Sequence, residues 1–536
     1  MFAFPYPRYL QRFVVFLCPV IMAGPWLSAD VPYPKCNQCS DPNNYGSYLF
    51  LPQGTLPDDY DNQSGHKWKF EPGTGLNIRG AWLVTTGRPD VVLAILDSGV
   101  IWDYRDVADK VALNTGEIPL PAGCARHDCN GDGVVNVQDF LSVGDKNGNG
   151  FVDGQDVIRA FSDGVDNDGN GYVDDIAGWD FFENDNDPED DVRFGHGTGQ
   201  ASDAAAEANN GSGFPGVAPS IMFVPLRVGD SFIAVDTDFA QAVVYAVDRK
   251  VSLISEALGT MTASATSQAA IDYAYKNGIP LIASAADEQS FHHNFPSAYE
   301  HSIWVNSIRN GDGTLVTETD DYTILNGCTN YGGNAWVTIS SIACSSEATG
   351  RAGGLAGLLI SHGKNLIDKG QLTPYPGLQT PFSAEEVRQI LRWSAQDIDH
   401  SADPTLTMSF AVRFLLGSLF PANPVFRSSQ FPTQAGWDQY TGYGRPDAAR
   451  LVSVKADTIP PEADLSGGLS WFATVDPQRV RTIPVIGTVA AVRAPGSFTY
   501  KVEVGCGVQP TSFTTIQAGT SDKPLRQAVL AEWEAA

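Results

Sequence analysis

Short apolar runs alternate along the chain with segments of helical period. The runs VVLAIL (91–96), IMFVPLRV (221–228), VSLI (251–254) and IPLIASA (279–285) are apolar without strict alternation, the pattern of strands buried on both faces. Between them lie GTGQASDAAAEANN (197–210) and TSQAAIDYAYKNG (266–278), which read as helices. Buried strands interleaved with helices predict an α/β fold with a parallel sheet covered on both faces. The alternation resumes at FSAEEVRQILRWSAQDID (382–399), where Ser383 reads as an N-cap with acids in the first turn. It ends near Val454. After TIPPEAD (458–464), the segments TIPVIGTVAAV and SFTYKVEVG are β-prone and punctuated by Gly and Pro. They predict a small C-terminal β module over 456–536.

The N-terminus changes the picture. Arg8 and Arg12 precede a short apolar stretch that ends in Leu-Ser-Ala, so residues 1–29 read as a secretory signal and residues 30–74 as an extended arm. An exported chain is expected to hold disulfides, and sequence proximity pairs Cys36 with Cys39, Cys124 with Cys129 and Cys328 with Cys344, leaving Cys506. No later run is apolar enough to span a bilayer, so no stable membrane insertion is expected after signal cleavage. The formal net charge of −28 argues against nucleic acid or an anionic membrane as a partner and favours cations.

The acids concentrate in an insert over 117–191, where one pattern occurs three times. DCNGDGVVNVQD supplies Asp128, Asn130, Asp132 and Asp139; DKNGNGFVDGQD supplies Asp145, Asn147, Asn149 and Asp156. DNDGNGYVDD supplies Asp166, Asp168, Asn170, Asp174 and Asp175, but Ala177 stands where its closing carboxylate would be. Oxygen ligands at alternate positions, a turning glycine and a closing carboxylate are the spacing of a twelve-residue Ca2+ loop. The first two loops resemble EF-hand or dockerin-type repeats. The third must close differently.

Three polar residues stand at the ends of elements. Asp97 terminates the VVLAIL strand, His196 opens the Ala-rich helix in FGHGTG, and a serine precedes the small-residue helix GRAGGLAGLLIS. In SIACSSEATG two serines, Ser345 and Ser346, compete for that place. A serine hydroxyl becomes a nucleophile only with a base to take its proton and a carboxylate to orient that base. A helix N-terminus adds free N–H groups beside developing negative charge.

In the order Asp, His, Ser, the motifs DSGV, HGTG and a serine before a Gly/Ala-rich helix resemble the subtilisin-like serine proteases. GAWLVTTGRPDVVLAILDSGV, GVAPSIMFVPLRV, AIDYAYKNGIPLIASA, GWDQYTGYGRPDAARLV and DNDGNGYVDDIAGWDF match the family's supporting stretches, over roughly residues 75–455. The resemblance implies a three-layer subtilisin-like domain, a triad of Asp97, His196 and Ser346, and protein or peptide substrates. Alignment through the helix selects Ser346 and puts Ser345 where the family has threonine. Ala257, Leu258 and Gly259 fall on the family's substrate-binding edge, where a peptide adds as a strand. At the oxyanion position the family's Asn is Asp287 here, and an ionised aspartate offers no N–H. The expected function is a secreted, calcium-stabilised serine endopeptidase. The alternative is a catalytically impaired scaffold acting as a calcium-dependent binding or adhesion protein.

Overall fold

The computed structural model describes residues 56–57, 59–60, 71–73, 75–210, 213–288, 290–291, 294–310, 322–325, 328–341, 343–402, 431–469 and 473–534. The expected signal segment and the Cys36–Cys39 pair lie outside the described residues. Four of the apolar runs form β1 (Val92–Asp97), β3 (Met222–Arg227), β4 (Leu253–Glu256) and β5 (Leu281–Ser284). The short β2 (Trp179–Asp180), β6 (Ser302–Asn310), β7 (Tyr322–Leu325) and β8 (Ala335–Ser340) complete one eight-stranded sheet, ordered β2-β3-β1-β4-β5-β6-β7 with β8 also on β6. Every pairing in it is parallel except β6 with β7.

The strands alternate their side chains between two helical layers. Leu93, Ile95, Leu253 and Ile282 face the layer of α3 (His196–Ala205) and α6 (Ser345–Asp368). Ala94, Leu96, Ile254, Leu281 and Ala283 face α4 (Asp236–Asp248) and α5 (Ala265–Lys276). The subtilisin-like three-layer expectation therefore holds. Among the described residues, further α-helices are the short α1 (Ile78–Trp82), α2 (Gly154–Phe161) in the insert, α7 (Ala384–Ser394) and α8 (Ala448–Leu451). Ser383 caps α7 and forms a capping box with Glu386, as its sequence predicts.

The small residues of α6 have a physical reason. A Cβ at Gly354 would lie 2.6 Å from Val217 Cβ and 2.9 Å from Ala204 O, and one at Gly350 2.9 Å from Asp203 Cβ. Only glycine lets α6 approach α3 this closely. Since α3 begins with His196 and α6 with Ser345, that approach brings both N-termini to the C-terminal end of β1, the end where parallel sheets present chemistry.

A two-stranded ribbon of β9 (Ala395–Gln396) and β10 (Arg445–Pro446) leads to the C-terminal strands. There β11 (Glu462–Asp464), β12 (Thr482–Ala490) and β15 (Leu525–Glu534) form one antiparallel sheet, and β13 (Phe498–Val504) pairs with β14 (Thr514–Ser521). Their apolar cluster is small, centred on Val489, Val502 and Leu530. Charged contacts fasten them to the main sheet's domain: Nδ1 of buried His301 lies 2.8 Å from Asp272 Oδ1, and its Nε2 lies 3.2 Å from Asp464 Oδ2. No helix among the described residues is long and apolar enough to cross a membrane.

Candidate active site

Asp97 is the last residue of β1, and its side chain is 1% exposed. Its Oδ1 accepts a hydrogen bond from Ser98 N at 2.8 Å and lies 2.7 Å from His196 Nδ1. The two sequence motifs are stitched together around this contact. Gly197 N donates to Ser98 Oγ (3.1 Å), and Ile101 N donates to Thr198 Oγ1 (2.8 Å). A Cβ on Gly197 would meet Gly99 O at 2.2 Å, so the second residue of HGTG must be glycine for α3 to start beside β1. Burial disfavours the charged imidazole, but the adjoining Asp97 charge and hydrogen bond outweigh it and raise the His196 pKa above the ordinary histidine value.

Asp190 is a functional neighbour that sequence reasoning missed. It accepts hydrogen bonds from Phe194 N (2.9 Å), Gly195 N (2.6 Å) and Ser98 Oγ (3.3 Å), and so fixes the approach to His196. In the sequence it is one acid in an acidic run.

The two serines occupy different surroundings. Ser345 is fully buried; its Oγ lies 2.6 Å from Ser284 Oγ and donates to Asp287 Oδ1 at 2.5 Å. Ser346 is partly open, and its Oγ donates to Ala257 O at 3.4 Å. His196 Nε2 is buried without a hydrogen-bond partner, so the Ser346 hydroxyl is turned to the β4 edge rather than to the imidazole. Disulfide Cys328–Cys344 holds the residue before α6, and Glu347 gathers Ala343 N (2.7 Å), Ser341 and Arg351 around the same loop.

Asp287 follows the exit of β5. Its carboxylate accepts Ser345 N at 2.9 Å as well as Ser345 Oγ, and so takes one of the free N–H groups at the start of α6. Crowding by protein raises its pKa, while the Ser345 hydrogen bonds oppose that rise. The side chain is nevertheless open to solvent, and its two donors from Ser345 favour the carboxylate form. Asn294 is directed elsewhere, its Nδ2 donating to Ser284 O at 3.2 Å. Glu256 was also missed. It ends β4 fully buried, with neither carboxyl oxygen hydrogen-bonded. Burial first, then the Asp97 charge, push its pKa well above the usual range.

In the acidic insert, each of the first two loops is followed by a short helix. Asp139 sits in the first turn of the 3₁₀ segment Val137–Val143 and Asp156 in that of α2. Asp139 accepts Cys129 N (2.7 Å) and Asn136 N (3.1 Å); Asp156 accepts Lys146 N (2.5 Å) and Asp153 N (2.9 Å). Asp128 and Asp145 turn back onto Gly131 N and Gly148 N. Side-chain amides lie against the remaining acids: Asn130 Nδ2 donates to Asp132, and Asn147 and Asn149 Nδ2 both donate to Asp153. Burial is the main force raising the pKa of Asp132, and it takes Asp139 and Asp153 to about 6.

The third loop closes with a residue from outside it. Glu117 joins Asp166 and Asp168, with oxygens from all three within 4.8 Å of one another. Asp174 instead accepts Asp163 N and Gly164 N, while Asp175 accepts from Asn114, Asn170 and Tyr245. Glu117 lies so far upstream in sequence that the loop pattern alone does not reach it. Disulfide Cys124–Cys129 braces the first loop, and Cys506 is free and exposed.

Residues 88–444 match the sequence profile of the subtilase family, peptidase S8. The chain belongs to the subtilase family. It is 32% identical to thermitase of Thermoactinomyces vulgaris over 194 residues, 35% of this chain and 69% of that protein. It is also 32% identical to the thermophilic serine proteinase of Bacillus sp. strain AK1, over 36% of this chain and 49% of that protein. With the halolysin-like extracellular serine protease Nep of Natrialba magadii it shares 26% identity over 61% of this chain and 48% of that protein. This subtilase thus spans about half the length of the latter two relatives. The Bacillus and Natrialba relatives are serine proteases by name.

Proposed function

We propose that this subtilase is a secreted, calcium-stabilised serine endopeptidase. The observation that carries the reading is the 2.7 Å contact of Asp97 with His196 on elements whose packing delivers the start of α6 to the same place. Ser346 Oγ attacks the peptide carbonyl carbon while His196 Nε2 takes its proton. His196 then returns that proton to the departing amine, and water repeats the cycle to release the acyl group. Asp97 holds the tautomer that keeps Nε2 free and stabilises the imidazolium. The free backbone N–H of Ser346 at the start of α6 faces the developing oxyanion. Export rests on the N-terminal pattern and on the extracellular relative. Calcium would be held by Glu117, Asp166 and Asp168, with the two EF-hand-like loops as further sites. It would supply positive charge to an insert whose buried carboxylates otherwise crowd one another. The residues fit such an ion: all are oxygen donors, and those of the third loop already converge.

One observation favours the second reading, an impaired scaffold with a calcium-dependent binding role. Asp287 places a carboxylate where a donor is needed and uses a helix N–H for itself. Labelling with a serine-directed fluorophosphonate decides between them. Labelling of the wild type and not of Ser346→Ala supports the peptidase; silence in folded, calcium-loaded protein supports the scaffold.

A further inference from the structure

The edge of Ala257–Gly259, expected to receive a peptide strand, already has an occupant. Gly259 N donates to Phe232 O at 3.1 Å, and Ala234 N donates to Gly259 O at 3.2 Å, pairing Ile233 with Gly259 as a parallel bridge. The segment belongs to the connection from β3 to α4, closed at its base by Val235 N donating to Val228 O at 3.0 Å. Gly229 makes the fold possible, because a Cβ there would lie 2.4 Å from Ile233 O. One residue further along β4's exit, Thr260 exchanges both backbone hydrogen bonds with Phe295, at 2.8 and 2.9 Å. Gly259 therefore has no free backbone N–H for an incoming strand.

The same segment also lies over the imidazole. The Phe232 ring stands edge-on to His196, with centroids 5.4 Å apart, and edge-on to Phe194 at 4.7 Å. Yet two of its three side chains are poorly buried, Phe232 at 61% and Ile233 at 67% exposed, while Ala234 is buried. Two backbone hydrogen bonds join it to Gly259, and Phe232 and Ile233 hide little apolar area by staying there. An arriving peptide would exchange those bonds for equivalent ones at little net cost.

We propose that Phe232–Ala234 is a strap that keeps the place of a peptide strand on Gly259, and that extended peptides bind by displacing it. The proposal rests on the peptidase reading of the site. Because the hydrogen bonds exchange one for one, the side chains of the peptide decide whether displacement is favourable. Peptides that cover Phe232 and Ile233 with apolar residues are selected over polar ones of equal length.

Ala234→Pro tests this, since it removes the N–H donated to Gly259 O and leaves Ser346, His196 and Ala257 unchanged. Two substrates are compared: an N-acetyl amino acid p-nitrophenyl ester, too short to reach Gly259, and a tetrapeptide p-nitroanilide that reaches it. The expected result is a fall in KM for the tetrapeptide of about two- to tenfold, with ester kinetics unchanged. An unchanged or higher tetrapeptide KM beside wild-type ester kinetics overturns the proposal. Should the proline variant unfold, hydrogen exchange on Ser346→Ala serves instead. Residues 231–235 should exchange faster when the same tetrapeptide saturates the protein, and slower or equal exchange overturns the strap. Failure of the peptidase reading would be distinct, appearing as no fluorophosphonate labelling of Ser346.

Discussion

Asp287 Oδ1 accepts both the backbone N–H and the hydroxyl of Ser345, at 2.9 and 2.5 Å. One carboxylate oxygen thus caps the helix that carries the candidate nucleophile and immobilises the neighbouring serine. The same charge lies close enough to His196 to favour the imidazolium. The arrangement ties the start of α6 to the exit of β5.

Asp287→Asn is expected to raise turnover. An asparagine Oδ1 can still accept from Ser345 N while its Nδ2 supplies the missing donor. Loss of one such donor elsewhere typically costs about 10²–10³ in kcat, so a gain of at least tenfold is expected here. Steady-state kinetics on a peptide substrate at neutral pH measure it. An unchanged kcat would show that position 287 does not face the oxyanion.

The pH profile of kcat/KM should rise as His196 loses its proton. Since its pKa is raised, the inflection belongs above the usual histidine value of about 6.5. Asp97→Asn should move the inflection down and lower kcat by about 10⁴, the size of effect seen when a triad carboxylate is neutralised. A profile that starts below pH 6 in the wild type would contradict the Asp97–His196 coupling.

Calcium removal should soften the insert. At free ion a hundred times its Kd, binding contributes about 2.7 kcal/mol of stability, and chelation should lower Tm accordingly and open residues 128–175 to proteolysis. Glu117→Gln should reproduce part of the loss, whereas Asp174→Asn should shift calcium affinity less, because Asp174 does not join the converging oxygens of Glu117, Asp166 and Asp168. Calcium titration of both variants separates these roles.

Docking of the C-terminal strands should weaken in alkali. Burial opposes the charge on His301, but Asp272 and Asp464 on either side raise its pKa from 6.5 to about 9. The folded state therefore holds this proton more tightly than the unfolded chain. The stabilisation is complete below about pH 6.5 and is lost as pH rises towards about 9. Tm measured across that window should fall more steeply for the wild type than for His301→Gln.

Much of the fold was legible because each strand is a short apolar run and each candidate residue lies at its end. Asp97, His196 and Ser346 announce themselves locally through DSG, HGTG and a Gly-rich helix. The choice between the serines rested on alignment with the family motif through the small-residue helix; in the structure Ser345 is buried, with its hydroxyl on Asp287. The pairings of Cys124 with Cys129 and Cys328 with Cys344 follow from proximity and appear in the structure. What stayed hidden is long-range and unpatterned. Asp190 and Glu117 act through backbone N–H groups or carboxylates from other segments, and one acid in an acidic stretch carries no signature. The contact between Ile233 and Gly259 is a single bridge with no alternation to reveal it.

The glycines of α6 lead to a last consequence. They place α6 so near its neighbours that an added Cβ at Gly350 or Gly354 would meet Asp203, Val217 or the Ala204 carbonyl. Reactivity here is therefore a matter of spacing as well as of chemistry. A methyl group added at Gly354 would leave every candidate residue in place in the sequence yet push α6 away from Val217 and the end of α3. Variation in this subtilase should be tolerated more readily among its charged surface residues than among these featureless positions.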